Sequence, residues 1–254
     1  MDLGDLITEL RENILHDRSN RVAGAQDYLW SDATLVRYID EAQRRLAREG
    51  LVIRDGSTPE VTTITPQNGV DNYALHPSVL AVISAKREGD TADLARAGHS
   101  AFQTYRQPDP YFFDPSSLST LAPGKPLAYS TDEYMRSDED GSFSVVNLRL
   151  YPIPATGYLE PIRLRVVRMP IERLDVRNLR AVPEVPDMHH LEMLDWAAYL
   201  ALRIVDIDGG MPNRAMEFRA SFEDTVRKAR SAAMRKMFTP LQWGFGRNGF
   251  SWER

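Results

Sequence analysis

The chain has 254 residues, of which 43% are hydrophobic and 26% charged, and a formal net charge of −5, values ordinary for a soluble globular protein of one large or two modest domains. It contains no cysteine, which excludes disulfides and cysteine-based metal sites. The acidic start, Met1-Asp2-Leu3-Gly4-Asp5, lacks the basic segment of a secretory signal peptide, and no apolar run approaches the roughly 18 residues of a membrane helix.

Two helical patterns occupy the N-terminal segment. Apolar residues spaced for one helix face predict a first helix, and they are Leu3, Leu6, Ile7, Leu10 and Ile14. Asp2 stands where its side chain can cap that helix. Ser31 is the expected cap of a second helix, with Trp30 and Leu35 placed to form a hydrophobic staple. Its buried stripe is Leu35, Ile39, Ala42 and Leu46, and Gly50 is a natural stop.

The middle of the chain has the composition of β structure. The β-branched residues 61–65 predict a strand, and a turn at Gln67-Asn68-Gly69 predicts a return strand at residues 73–75. Another short strand is expected at residues 80–85. Residues 144–151 and 162–167 predict two further strands, joined as a hairpin that Pro152, Pro154 and Gly157 interrupt.

Helical periodicity returns after Pro183 and Pro186. A third apolar stripe contains Met188, Leu191, Leu194, Ala198, Leu202 and Val205. Pro212 is placed to begin a fourth helix, whose stripe is Ala215, Phe218, Phe222, Val226, Ala229 and Ala233. The sequence therefore predicts an α+β fold: a four-helix bundle of residues 1–52 and 183–237, a β-rich antiparallel insertion of residues 53–182, and a C-terminal tail of residues 238–254.

Motifs for chemistry are weak. Residues 244–249 (GFGRNG) match the dinucleotide fingerprint, but they follow a helix and not a strand. His189 and His190 lie near Glu184 and Glu192, yet adjacent helical residues point about 100° apart and rarely share one ion. We therefore predict no catalytic residue, no cofactor and no metal site. Among the possible functions, a hydrolase that depends on carboxylates is the least favoured.

Charge and aromatic residues single out two segments. From Thr225 to the end there are seven basic residues and one acidic residue, an asymmetry that suggests a separate partner for this end. The basic and aromatic residues expected to contact a partner or a neighbouring subunit are Arg235, Lys236, Phe238, Leu241, Trp243, Phe245, Arg247, Phe250 and Trp252. A Pro-rich loop carries a second aromatic set, Tyr105, Tyr111, Phe112 and Phe113, for which packing on the sheet and contact with a partner are both open. One possible function is therefore that of a monomeric module that binds a partner protein through this C-terminal tail.

Several segments, in order along the chain, resemble the head-to-tail adaptor proteins of short-tailed bacteriophages, the tail tubular or portal-adaptor family. Residues 28–32 (YLWSD) and 35–43 (LVRYIDEAQ) resemble the N-terminal segment of this family of adaptor proteins. Its hairpin resembles residues 148–154 (LRLYPIP) and 165–170 (RVVRMP). Its third helix and the following turn resemble residues 183–186 (PEVP), 194–199 (LDWAAY) and 206–208 (DID).

The resemblance implies a structural virion protein and not an enzyme. In that family, twelve copies form a ring under the portal protein, extend the DNA channel and receive the tail nozzle. The implied location is the neck of the virion, after assembly in the host cytoplasm, with no membrane partner. A C-terminal segment of the family commonly docks against the portal, which suits the basic aromatic tail. The loop of Tyr105 and residues 111–113 is then the expected tail-side contact.

Overall fold

The computed structural model describes residues 1–17, 28–96, 123–132, 136–137, 143–144, 146–158, 160–203 and 211–237. The described chain is a mixed α/β structure. Its α-helices are α1 (Leu3–Glu9), α2 (Asp32–Gly50), α3 (Pro59–Thr62), α4 (Leu194–Leu202) and α5 (Met211–Met237). A π-helix at Leu10–Leu15 continues α1, and a 3₁₀ helix at Asp187–His189 precedes α4.

The two N-terminal helix caps are confirmed. The Asp2 carboxylate accepts the Asp5 N–H at 2.9 Å, and the Asp5 carboxylate accepts the Asp2 N–H at 3.2 Å, which satisfies two N–H groups that have no partner within the helix. The Ser31 hydroxyl accepts the Thr34 N–H at 3.2 Å at the start of α2. Trp30 and Leu35 are both buried in the same apolar cluster.

Gly50 is the last residue of α2 for a packing reason. A Cβ at Gly50 would lie 3.3 Å from side-chain atoms of Leu46 and Val52 and 3.4 Å from the Ala229 Cβ, so glycine permits the close approach of α2 to α5. The left-handed position after the helix is occupied by Leu51, with φ of 54°. The stop predicted at Gly50 is therefore confirmed, although the left-handed residue is not the glycine.

Aromatic rings join the central helices. Trp196 of α4 lies 5.3 Å from Phe222 of α5 between ring centroids. The Arg45 guanidinium of α2 lies 3.7 Å from the Trp196 ring centroid, a favourable contact of a cation with an aromatic face. One apolar cluster draws buried residues from α1, the π-helix, α2, α4 and α5. The stripe predicted for α2 faces it, as does the stripe of α5 as far as Val226.

The described residues form ten strands, which lie in two sheets and a short ribbon. The strands are β1 (Arg54–Asp55), β2 (Thr63–Ile64), β3 (Asn72–Ala74), β4 (Val79–Arg87), β5 (Ala95–Arg96), β6 (Ala128–Asp132), β7 (Arg136–Ser137), β8 (Phe143–Ser144), β9 (Asn147–Tyr151) and β10 (Ile162–Arg168). In the first sheet β10 pairs with β1 and β2 on one edge and with β4 on the other. The second sheet has the order β3-β9-β6-β5, and β7 pairs with β8. All these pairs are antiparallel except β5 with β6.

Both predicted hairpins are wrong. β2 pairs with β10 and β3 with β9, so the turn at Gly69 connects strands of different sheets. Likewise β9 and β10 lie in different sheets, because β10 pairs along its whole length with β4. The ten-residue connection at 152–161 is long enough to cross between sheets, which a tight hairpin turn is not. A second apolar cluster lies among these strands.

Two local predictions are also wrong. Within residues 61–65, Val61 and Thr62 are helical because Pro59 begins α3. The third predicted helix starts too early: α4 begins at Leu194, and Met188 and Leu191 are exposed. Among the described residues no helix is both long enough and apolar enough to cross a membrane.

Candidate docking surface at the end of helix α5

The C-terminal half of α5 presents positive charge on its outer side. Its apolar residues Val226, Ala229 and Ala233 are buried, whereas its basic residues are all exposed. These basic residues are Arg227, Lys228, Arg230, Arg235 and Lys236. Asp224 pairs with Arg227, and with Lys228 at 2.6 Å. Hydrogen bonds from Lys228 and Arg227 hold the pKa of Asp224 below its ordinary value.

The remaining three basic side chains keep their charge available. Arg230, Arg235 and Lys236 form no ion pair with any residue that the structure describes. An exposed group of unpaired cations at a helix end attracts anionic partners over a distance of about 8–10 Å at moderate salt. This end of α5 is therefore suited to an acidic partner surface.

Helix α5 is anchored at both ends by arginine side chains. The Arg214 guanidinium donates to the Ile14 carbonyl at 2.6 Å, near the start of α5. The Arg54 guanidinium of β1 donates to the Ala233 carbonyl at 3.1 Å, near its end. The second bond ties the basic end of α5 to the first sheet and fixes its position.

An open groove of about 550 Å³ runs beside this end of α5. Small side chains of α5 form one wall, namely Ala229, Ala232 and Ala233, and Val52 and Ile53 face them. Arg54, Lys228, Lys236, Glu184 and Glu192 add charge to the lining. Apolar walls with charged residues around them can accept a segment that carries both aromatic and basic side chains.

A buried ion-pair network lies behind the groove. Arg168, the last residue of β10, donates from Nε to the Asp55 carboxylate at 2.7 Å and also pairs with Glu184. The other Glu184 oxygen accepts the N–H groups of Ile171 at 2.7 Å and Glu172 at 3.1 Å. The Glu184 N–H donates to the Gln43 side-chain oxygen of α2 at 2.8 Å. The network, defined as Asp55, Arg168, Glu184 and Gln43, thus connects the first sheet to α2.

Asp55 is saturated with hydrogen-bond donors. Besides Arg168, its carboxylate accepts N–H and O–H groups of Ser57 at 2.8 and 3.1 Å and of Thr58 at 3.0 and 2.6 Å. Burial alone would raise the pKa of Asp55, but hydrogen bonds from Thr58, Ser57 and Arg168 outweigh it and hold the pKa well below its ordinary value. The carboxylate is therefore fixed in its charged form as a structural link.

The two neighbouring histidines serve separate partners. His189 lies 2.6 Å from a Glu192 carboxylate oxygen, and the buried His190 lies 2.9 Å from the Val185 carbonyl. Over the described part of the chain, no group of His, Asp and Glu residues is arranged to hold a metal ion.

Only part of the surface predicted from sequence falls on described residues. Arg235 and Lys236 lie on the exposed end of α5. The others lie outside the described residues: Phe238, Leu241, Trp243, Phe245, Arg247, Phe250, Trp252, Tyr105, Tyr111, Phe112 and Phe113. Sequence reasoning missed Arg54, Asp55 and Arg168, because Arg168 and Asp55 are 113 positions apart. The sequence signal for this network was Arg168 itself, because a charged residue at the end of a strand with alternating buried positions indicates a partner of opposite charge.

Comparison with known families identifies the chain. The family model described as SU10 adaptor protein matches residues 1–244, nearly the whole chain. A comparison with curated protein sequences finds no match. The match confirms the resemblance that the sequence segments indicated. The chain therefore belongs to the SU10 adaptor protein family, a family of phage head-to-tail adaptors.

Proposed function

We propose that this protein is one subunit of a ring, of twelve copies, that joins the portal to the tail nozzle and extends the DNA channel in the neck of the virion. Membership of the adaptor family is the observation that carries this proposal. A closed ring in which each subunit contacts the next in the same way requires two different and complementary faces on each subunit. Assembly takes place in the host cytoplasm, and the role is structural and not enzymatic.

The ring-forming body is the helical part of the subunit. We assign it to residues 1–52 and 183–237, packed as a four-helix bundle, and we assign residues 53–182 to a separate β-rich domain. The two separate apolar clusters, one among the helices and one among the strands, support this division. Each cluster can exclude water by itself, as expected for two adjoining domains.

The portal-side contact is the end of α5 with the tail at residues 238–254. The unpaired charges of Arg235 and Lys236 and the adjacent groove support this assignment. Trp and Arg side chains in the tail are the residue types that most often anchor interfaces. The tail-side contact is the loop of Tyr105, Tyr111, Phe112 and Phe113, whose aromatic content suits a protein partner.

The charge of the chain suits a channel for DNA. Twelve copies at −5 each would carry −60, and negative channel walls repel the phosphate backbone so that DNA slides without adhering. The basic end of α5 is placed away from the channel in this arrangement.

Deletion of residues 238–254 tests the proposal. We expect the truncated protein to keep the circular dichroism spectrum and melting temperature of the full chain, because both apolar clusters pack from described residues that lie no later than Val226. It should no longer assemble on the portal, as measured by native mass spectrometry and negative-stain imaging of the mixture. A truncated protein that still forms rings on the portal contradicts the assigned contact.

A charge-matched pair of variants separates the site from net charge. R235E/K236E and R37E/R48E reverse two exposed basic side chains each, on α5 and on α2 respectively. Portal binding should fall at least tenfold in the first and stay within about twofold in the second. Equal losses in both would show that only net charge matters. If the full chain forms no ring with or without portal, the ring itself is wrong.

A further inference from the structure

A second cavity, of about 360 Å³, lies between α2 and the segment that follows β10. Its apolar lining residues are Ile171, Leu174, Ala181 and Val182. Val182 is 57% exposed and Ile171 39% exposed, so the cavity opens at a surface that is apolar on one side. It shares Glu184 with the groove beside α5 but is otherwise lined by different residues.

A buried amide in this cavity has an unused donor. Gln43 is 0% exposed and lines the cavity. Its side-chain oxygen accepts the Glu184 N–H, whereas its side-chain NH₂ group has no hydrogen-bond partner among the described residues. A buried donor without an acceptor costs about 1–3 kcal/mol. An occupant that brings an acceptor, such as a main-chain carbonyl, would recover this energy.

The rim of the cavity has an excess of negative charge. Glu60 and Glu172 line the cavity, are exposed, and form no ion pair with a described residue. Arg173 is the one cation that lines the cavity within the described chain. Glu184 is already paired with Arg168. A suitable occupant is therefore an apolar side chain with basic residues beside it.

The end of α5 has this combination. Met234 is 36% exposed, and Arg230 lies one turn before it on the same face, since residues four apart are neighbours on a helix surface. Arg230 forms no ion pair with a described residue, and Arg235 adjoins Met234 in sequence. An unbranched methionine side chain adapts well to an irregular apolar pocket.

We infer that the cavity around Gln43 receives the face of α5 that carries Arg230 and Met234 from a second copy of this chain, with Met234 between the apolar walls and Arg230 against Glu60 and Glu172. Lys236, on the other side of the helix, stays free for the portal. This inference rests on the proposed ring and assigns its contact between neighbouring subunits. The two faces are different and complementary, so each subunit offers both and the contact repeats head to tail around the ring.

The absence of cysteine makes a cross-linking test specific. Val182→Cys and Met234→Cys are prepared as separate single variants, mixed, assembled on the portal and oxidised. A disulfide forms only when the Cα atoms approach within about 7 Å, so a dimer with one copy of each variant supports the contact. The two variants carried on one chain should give a ladder of covalent oligomers.

Leu127→Cys with Met234→Cys is the matched control, since Leu127 is 49% exposed on the β-rich part. It should give no more than a tenth of the disulfide obtained with Val182→Cys. Rings that assemble without the Val182–Met234 disulfide overturn this inference while the ring stands. If the portal protects the cysteine of Val182→Cys from modification and no disulfide to Met234→Cys forms, then the portal occupies the cavity. That outcome would also overturn this inference. Failure of any ring to form overturns both proposals.

Exchanging charges supplies an independent measurement. Glu172→Arg and Arg230→Glu should each lower the amount of ring assembled on limiting portal at least tenfold. The double variant E172R/R230E restores opposite charges at every contact, and an equimolar mixture of the two single variants does so when they alternate around the ring, so both should recover most of the ring. A double variant no better than the single variants would overturn the pairing of these residues.

Discussion

Replacement of Arg168 by methionine tests the network that connects the first sheet to α2. Methionine keeps an unbranched apolar stem of similar reach and removes the guanidinium, whose side chain is 11% exposed. Three contacts are lost: those to Asp55, Glu184 and the Met169 carbonyl. Asp55, whose side chain is 4% exposed, is left as a buried carboxylate without its cation.

The expected cost follows from what each partner keeps. Breaking a buried ion pair costs about 3–5 kcal/mol. Asp55 keeps the four hydrogen bonds from Ser57 and Thr58, and Glu184, with a side chain 27% exposed, keeps two N–H donors and access to water. We therefore place the loss of unfolding free energy at the lower end, about 3 kcal/mol. For a chain of this size that lowers the melting temperature by roughly 6–12 °C.

The assay is urea and thermal unfolding, followed by circular dichroism and tryptophan fluorescence. Arg163→Met is the matched control, because Arg163 lies on the same strand and its ion pair with Glu88 is exposed on both sides, at 55% and 49%. Such a surface pair contributes about 0–1 kcal/mol. Equal unfolding free energies for the two variants, within about 0.5 kcal/mol, would show that burial does not make Arg168 a structural link.

Two further predictions concern the same junction and the helix contact. Asp55 has a folded-state pKa below the ordinary value of 3.8, so its stabilising effect is complete above that pH and is lost as the pH falls further. Asp55→Asn should remove this effect at neutral pH. In urea titrations between pH 5 and pH 2, the unfolding free energy of the variant should therefore fall less steeply with pH than that of the unchanged protein. An unchanged slope would contradict it. Gly50→Ala should lower the unfolding free energy by about 1–3 kcal/mol, because the added methyl meets Leu46, Val52 and Ala229 within 3.4 Å. The control Ala47→Gly is a buried change one turn earlier in the same helix, and it measures the effect of helix propensity on the unfolding free energy. A stable Gly50→Ala variant would show that α2 and α5 can move apart freely.

Sequence reasoning succeeds here where the determining contacts are local. The caps at Asp2 and Ser31 depend on N–H groups three residues away, and the stripe of α5 depends on spacing within one helix. The pairing of strands was not predictable in the same way. The turn at Gly69 has the expected residues, yet its flanking strands lie in different sheets because β10, about 100 positions later in the chain, provides the partner of β2.

The candidate surface divides in the same manner. Arg235 and Lys236 could be identified because helical periodicity places them on the outer face of α5. The cavity around Gln43 could not, since Gln43 and Glu184 meet only when two segments 141 positions apart come together. Met188 and Leu191 followed the apolar period and are nevertheless exposed, because the segment before α4 forms a 3₁₀ helix and turns in place of an α-helix.

The anchoring of α5 determines how the subunit carries mechanical load. Its 27 residues span about 40 Å, and its apolar face contacts the other helices from Ala215 to Ala229. Tension directed along the helix axis shears these contacts and the Arg214 and Arg54 hydrogen bonds together, instead of peeling them apart one at a time. A subunit pulled along this axis therefore resists with most of the described contacts of α5 at once.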